Sequence, residues 1–559
     1  MNRISYSWDR LKRESLLESK RRWNENPFSF RLMWESHPLR KGILETLGPR
    51  KDSRPSVIFG LLLFVPHIAW GIDIPGGVAV EGQMVKWGQY RQLKGLISVE
   101  FPRGMDTGAP EDSFSERIRT YPTSGASSVL LRCQRPGALF FSADGASVGE
   151  AEQVDLKDQL ESLNRFDMLP IVTLFDPDPS CRLRSKEAYL SAIQTFVDTF
   201  AEENWFLICV SEICDSTKWE TPFPISMMEV ALEGADRLEE RDSEIVVGAG
   251  AEDPIALAKL ASSETLDVLF RHGGALEAEE GPAPTPGWKG PVLYLVEGSG
   301  VTDRSAYTMA ERTGMPRLED EFPNGFVVHF DDRPAGEELE SLDEFLGTLS
   351  VQVDQFQKEI TKATAPDEGD LHSLKPGEAE EGFVSLFNGK DLSGWVPITK
   401  PDDFVVKEGV IQLEGGEGGW LRSWNPYRDY VFRGEYWIVE GGNSGFYNRA
   451  PLAGRESRIG FEFQIAGEQP TDPTAEESTG AIYYVRPPDA NSMKPGEWNE
   501  VEITCVGTRV KIVWNGIVAH DFKYEEIEFM KNRSRAGYIG LQDHHNPVKF
   551  RNLRIKELD

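Results

Sequence analysis

Three short stretches near the C-terminus carry polar side chains at spacings that could do chemistry. In Phe461-Glu462-Phe463-Gln464-Ile465, apolar residues alternate with an acid and an amide. A period of two is the mark of a β-strand, whose successive side chains point to opposite faces. The two phenylalanines and Ile465 then take the core face, and Glu462 and Gln464 project together from the other. In Gly445-Phe446-Tyr447-Asn448-Arg449 the same period gives Tyr447 and Arg449 one face. Along Ile539–His544, Ile539 and Leu541 alternate with Gly540, Gln542 and His544. If these strands are neighbours with matched faces, one concave surface gathers a carboxylate, an imidazole, a guanidinium, amides and an aromatic ring. That mixture suits a hydroxyl-rich sugar, because polar groups fix its orientation and a ring stacks on the pyranose. Plainer readings stand beside this one. Glu462 and Arg449 could form a cross-strand ion pair, Asp543 could cap a turn, and Trp395 and Trp498 could be core rather than sugar platforms.

The elements that must position these residues fall into two textures. From about residue 381 to 559 the chain shows short alternating strands and tight turns, with Trp514-Asn515-Gly516-Ile517 as a two-residue hairpin signal. This predicts an all-β antiparallel sandwich of jelly-roll type. Upstream, short apolar runs alternate with helical stretches such as Ser185–Glu202 and Ile225–Glu239. The runs are Leu96–Phe101, Ser128–Cys133, Pro170–Phe175, Phe206–Ser211, Glu244–Gly248, Leu266–Phe270, Val292–Val296 and Phe326–Phe330. Continuous apolar strands separated by helices imply a parallel sheet covered on both faces, and eight of them suggest a (β/α)₈-like barrel over residues 72–363. Leu339 to about Ala363 reads as a closing helix. Residues 364–380, rich in acids, Pro and Gly, read as an interdomain linker.

A formal net charge of −31 over 559 residues argues against a nucleic-acid partner. Residues 1–56 nevertheless carry 13 Lys and Arg against 7 Asp and Glu. This basic leader precedes the apolar run Val57–Val65, and Ala69-Trp70-Gly71 supplies small residues in the pattern of a cleavage site. The expectation is a signal segment within residues 1–71 and an exported chain. The five cysteines, Cys133, Cys181, Cys209, Cys214 and Cys505, are odd in number and irregular in spacing. They suggest neither a disulfide framework nor a zinc site.

The C-terminal block also resembles the 3-keto-disaccharide hydrolase domain family. The resemblance is carried, in order, by Phe383–Trp395, by Gly442-Asn443-Ser444-Gly445 leading to Arg449, and by Gly460–Ile465. Thr479–Tyr483, Gly496–Asn499, Gly540–His544 and Phe550–Ile555 complete it. The family's fold is similar to concanavalin-type lectins and glucanases. Its activity implies a base that removes the C2 proton beside a C3 ketone, so that the C1 substituent leaves and water adds back. Such a site needs a base, an acid for the leaving oxygen and groups that stabilise the enolate. On this resemblance Glu462 and His544 are base and acid in either order, and Arg449 and Gln542 stabilise the enolate. Asn443, Tyr447, Gln464, Gln542 and Asp543 bind substrate. His545 departs from the small residue usual in the family. No cofactor or metal is implied, and a calcium requirement is not legible in the sequence. No dinucleotide-binding glycine fingerprint is present, so a separate sugar-oxidising enzyme would supply the 3-keto substrate. Two alternatives stand beside this. The sandwich could be a lectin-like binding module, and the barrel could hold its own centre. In barrel glycosidases a glutamate pair stands at the ends of the fourth and seventh strands, where Glu212 and Glu297 fall here.

Overall fold

The computed structural model describes nearly all of residues 346–558 and most of 118–297 apart from several loops. It also describes short pieces at 79–86, 96–100 and 325–329. The basic leader and its apolar run lie outside the described residues.

Eight strands upstream pair in parallel and close into a ring: β1 (Leu96–Glu100), β2 (Ser128–Arg132), β3 (Leu169–Thr173), β4 (Leu207–Cys209), β5 (Val247–Ala251), β6 (Val268–His272), β7 (Val292–Glu297) and β8 (Gly325–His329). β8 returns to pair with β1. The strands lie where the apolar runs placed them, except that the fifth begins later, at Val247. Four helices longer than one turn cover the described part of the ring: α1 (Glu150–Arg165), α2 (Lys186–Phe200), α3 (Met227–Arg241) and α4 (Pro254–Leu260). In α1 the buried Leu156, Leu160 and Leu163 recur at helical spacing. α4 starts where Asp253 accepts hydrogen bonds from the Ile255 and Ala256 N–H groups, with Pro254 opening the first turn.

The C-terminal half is a pair of antiparallel sheets. Its strands are β9 (Val384–Ser385), β10 (Trp395–Pro397), β11 (Phe404–Lys407), β12 (Val410–Leu413), β13 (Gly419–Ser423), β14 (Tyr430–Ile438), β15 (Asn443–Ala450), β16 (Phe461–Ala466), β17 (Asn499–Val506), β18 (Arg509–Trp514), β19 (Ile517–Lys523), β20 (Tyr538–Asp543) and β21 (Val548–Glu557). The larger sheet runs β11-β12-β21-β14-β17-β18-β19, with β9 also on β21, and the smaller runs β10-β13-β20-β15-β16. Their inner faces meet through aromatic rings, with Phe446 against Phe432 and Phe550 and Phe463 against Trp514. Trp395 is part of this core.

Residues 364–380 are not a free tether. Ser373 donates to the Phe387 carbonyl, Asn388 donates to Asp367, and buried Glu378 pairs with Arg554 and Arg433. Composition alone counts acids as solvated. Here one acid meets two guanidinium groups, one of them fully buried, and that compensation pins the segment to the sandwich. Burial would raise the Glu378 carboxyl, but hydrogen bonds from the Lys375 N–H, Arg554 and Arg433 hold it below its ordinary range. A depressed carboxylate adds stability above its unfolded pKa and loses it as pH falls through the folded value. Glu378→Gln should therefore cost about 3 kcal/mol at neutral pH. The gap to wild type should close below about pH 4, as measured by denaturant unfolding across pH.

Candidate functional site

On β13, β20, β15 and β16 the hydrogen-bond register settles which side chains share the outer face of the smaller sheet. Arg422 pairs with Gly540, Gly540 with Tyr447, and Tyr447 with Glu462. In the next row Trp420 pairs with Gln542, and Gly445 with Gln464. Two glycines matter here. A Cβ on Gly445 would collide with the Glu462 carboxyl, so the missing side chain lets that carboxyl lie over the middle of the sheet. A Cβ on Gly540 would meet the Trp420 ring, which packs edge to face with Tyr447 at 5.7 Å.

This face is buried. The connection between β15 and β16 folds back over both strands and includes a helical turn at Glu456–Ile459. The same connection docks on the barrel: Ala453 N–H donates to the Pro122 carbonyl at 3.0 Å, and Arg455 N–H to the Phe166 carbonyl at 3.3 Å. Beside it, fully buried Arg422 donates to Asp354 and Gln357 of the closing helix, and Tyr538 donates to the same Asp354. Trp420, Tyr447 and Tyr538 thus join the apolar cluster that fills the barrel's outer layer.

Glu462 is 1% exposed, and its Oε1 has no hydrogen-bond partner. Burial pushes the carboxyl up to about 8. Arg455 pulls the other way, and Glu456 adds to the rise. Gln464 donates to Asn443 Oδ1 at 3.0 Å, and Gln542 donates to the Tyr447 hydroxyl at 2.7 Å. Burial first, and then Glu462, drive the Tyr447 phenol well above its ordinary range, so it stays a neutral donor. The Oε1 atoms of Gln464 and Gln542 and the Nε1 of Trp420 are also buried without partners.

The structure thus brings Glu462, Gln464, Asn443, Tyr447 and Gln542 together. His544 lies just beyond the end of β20, half-buried, its ring 5.7 Å from that of His545. Arg449 does not join them. Its φ of +52° kinks β15 and the register with β20 breaks there, so strict alternation fails after Tyr447. Its buried guanidinium turns away to the Arg428 and Gly507 carbonyls, the Tyr524 hydroxyl and Asp429. The expectation that Arg449 stands beside Glu462 as an enolate stabiliser is therefore corrected, and the alternative cross-strand ion pair is not formed either. Asp543 accepts from the Gly418 and His545 N–H groups and organises a loop. His545 sits at φ +62°, a backbone state that favours glycine, which accounts for the small residue usual there. Trp498 is a stacking partner of Arg551 at 3.9 Å. Trp420 and Arg422 were missed, although Gly419-Trp420-Leu421-Arg422-Ser423 carries the same period of two that revealed Glu462.

In the barrel, Glu212 follows β4 and Glu297 ends β7. Both Glu212 oxygens are engaged, one by Arg132 at 2.8 Å and the other by Thr173 at 2.6 Å. The side chain of Glu297 lies outside the described residues. Among the described residues no cluster of three or more His, Cys, Asp or Glu is arranged to hold a metal. The four described cysteines are buried and unbridged, and Cys181 lies outside the described residues.

The C-terminal half is thus a two-sheet β-sandwich with a desolvated carboxyl among amides and rings on one outer face. Residues 382–556 match the 3-keto-alpha-glucoside-1,2-lyase-like domain, and the C-terminal domain belongs to that family. A 3-keto-disaccharide hydrolase from Bacteroides thetaiotaomicron is 23% identical over 272 residues, covering 38% of this chain and 91% of that protein. Among solved structures, a candidate glycosyl hydrolase from Parabacteroides distasonis is 27% identical with a TM-score of 0.30, covering 33% of this chain and 98% of that one. A second from the same organism is 21% identical with a TM-score of 0.28, covering 32% and 99%.

A carboxyl whose folded pKa is raised binds its proton more tightly in the folded state. Folding is then disfavoured progressively as pH climbs from the unfolded value, near 4.5, to about 8. Glu462→Gln removes that penalty. Its advantage in unfolding free energy over wild type should grow with a slope approaching about 1.4 kcal/mol per pH unit in that window and level off above it. Chemical denaturation at a series of pH values measures this.

Proposed function

We propose that the C-terminal sandwich binds a 3-keto-glycoside on the outer face of its smaller sheet and cleaves it, with Glu462 as the base. The observation that carries this is the Glu462 carboxyl itself: buried, lying over Gly445, without a partner on Oε1 and raised to about 8. A desolvated carboxylate is a stronger base than a solvated one, and a C–H flanked by a ketone is acidic enough to be its target. Glu462 takes the C2 proton and the electron pair moves into an enolate toward O3. The enolate collapses to expel the C1 oxygen, which leaves protonated. Water then adds across C1 and C2, giving net hydrolysis. With Arg449 turned away, neutral donors on this face carry the enolate's charge, the Tyr447 hydroxyl among them. His544 remains the candidate acid. In this reading the ring of eight strands is the strand layer of a (β/α)₈ barrel that supports the sandwich. The chain acts after export, on sugars oxidised by a separate enzyme.

The full chain should release the aglycone from a 3-keto-glucoside, and Glu462→Gln should lower turnover at least about 100-fold. The wild-type rate should rise with pH toward a plateau above about 8, as the carboxyl ionises. Saturable binding without release would leave a lectin-like module. Release that survives Glu462→Gln but disappears in Glu297→Gln would move the chemistry to the barrel.

A further inference from the structure

Among the described residues Arg422, Arg449, Arg533 and Arg554 are buried arginines. Three of them meet a carboxylate: Arg422 pairs with Asp354, Arg449 with Asp429 and Arg554 with Glu378. Arg533, in the connection from β19 to β20, is the exception. Its Nε donates to the Phe529 carbonyl at 2.8 Å, and its Nη1 to the carbonyls of Ser457 and Gly460. Carbonyl dipoles solvate a guanidinium without neutralising it, and a buried charge that lacks a counter-charge is costly. Its Nη2 donates to nothing among the described residues, yet packing does not seal that edge from solvent.

Three more guanidiniums converge on the same place. Ser457 and Gly460, which accept from Arg533, flank Arg458, and the Ser534 N–H donates to the Ile459 carbonyl between them. Arg455 opens the same turn, and its N–H donates to the carbonyl of Phe166, next to Arg165 at the end of α1. Burial first, and then Arg458, push the Arg533 guanidinium below its ordinary range; Tyr524 opposes them, and Arg165 and Arg455 add to the fall. Arginine keeps its proton all the same, so four positive charges meet. Glu456 lies on the same turn and Asp167 follows Phe166, but neither pairs with Arg533. In a chain of net charge −31, the other three buried arginines each have an acid. One left among cations instead marks a place for an anion from outside.

We propose that Arg165, Arg455, Arg458 and Arg533 form a binding site for a tetrahedral oxyanion of the sulfate or phosphate class. The donors come from three segments: α1, the β15–β16 connection and the β19–β20 connection. A carboxylate offers two oxygens in one plane, whereas sulfate offers four spread in space. Bound there, the anion ties the connection that covers the Glu462 face to both barrel and sandwich. The site does not draw on the chemistry proposed for Glu462.

The oxyanion can arrive free or as an ester on a sugar, and calorimetric titration of the full chain at constant ionic strength separates the two. Inorganic sulfate and glucose 6-sulfate are the probes, with glucose as the neutral control. Saturable binding of sulfate as tight as that of the ester assigns the site to a free ion, and tighter binding of the ester assigns it to a sugar substituent. No saturable binding of either, or equal binding of glucose, overturns the site. Exposed Arg165 supplies the first variant: Arg165→Ala should weaken binding about fivefold. Arg237→Ala removes the same charge from α3 and should leave binding unchanged; equal weakening by both is a general charge effect and overturns the assignment. Arg533→Lys should weaken binding further, and if that chain fails to fold, the first two variants decide. Bound sulfate should also slow amide exchange across residues 451–460; exchange unchanged by a bound ion overturns its placement against this connection.

Discussion

The structure turns on the burial of one sheet face that ought, by its composition, to be wet. A β-sandwich normally puts its apolar side inward and leaves polar side chains in water. Here the outer face of the smaller sheet bears a carboxyl, three amides, a phenol and a guanidinium, and it is covered. Taking an ionised carboxylate out of water without a partner is far costlier than taking out the neutral acid. The protein therefore keeps Glu462 protonated until pH approaches 8. Near neutral pH the carboxyl is mostly uncharged, and where it ionises it is a base with little solvent to quench it.

The cover is not part of the sandwich alone. The β15–β16 connection lies over Glu462's strands and is tied by backbone hydrogen bonds to Pro122 and Phe166. Those residues precede β2 and β3, so the sandwich meets the end of the ring where strands begin. That end is the one usually given to stability in parallel barrels. The closing helix adds a second brace through Asp354, which receives both Arg422 and Tyr538. Arg455, whose charge opposes the rise in Glu462, sits on the docked connection itself. Domain packing and proton affinity are in this way coupled through one short segment.

Much of this was legible before any coordinates, and the failures have physical causes. Periodicity of two located Glu462, Gln464, Tyr447 and Gln542 on one face because their strands are regular there. It failed at Arg449 because a left-handed residue breaks the count, and no hydrophobic pattern records a dihedral angle. A signal was present in two glycines: a Cβ on Gly460 or Gly537 would strike the backbone around Arg449. The eight strands of the ring were readable since each falls on a short apolar run, and the second to fifth, whose side chains are described, are buried almost throughout. The attachment of segment 364–380 to the sandwich was not legible because composition weighs each acid alone, whereas Glu378 is stabilised by Arg554, a residue far along the chain.

Burial of the outer face also explains why the site could not be seen whole from the strands. Its amide oxygens and indole N–H are defined by what they lack, and a missing hydrogen bond is a property of three-dimensional packing. Filling the space above Gly445 with a methyl group would displace the Glu462 carboxyl. A sequence under selection for stability alone would gain from replacing that carboxyl and those amides with apolar side chains. Instead Gly445 makes room for the carboxyl and Gly540 for the Trp420 ring, so the face gives up apolar packing to hold polar groups it leaves unpaired, which is what the ligand-binding reading proposed for it rests on.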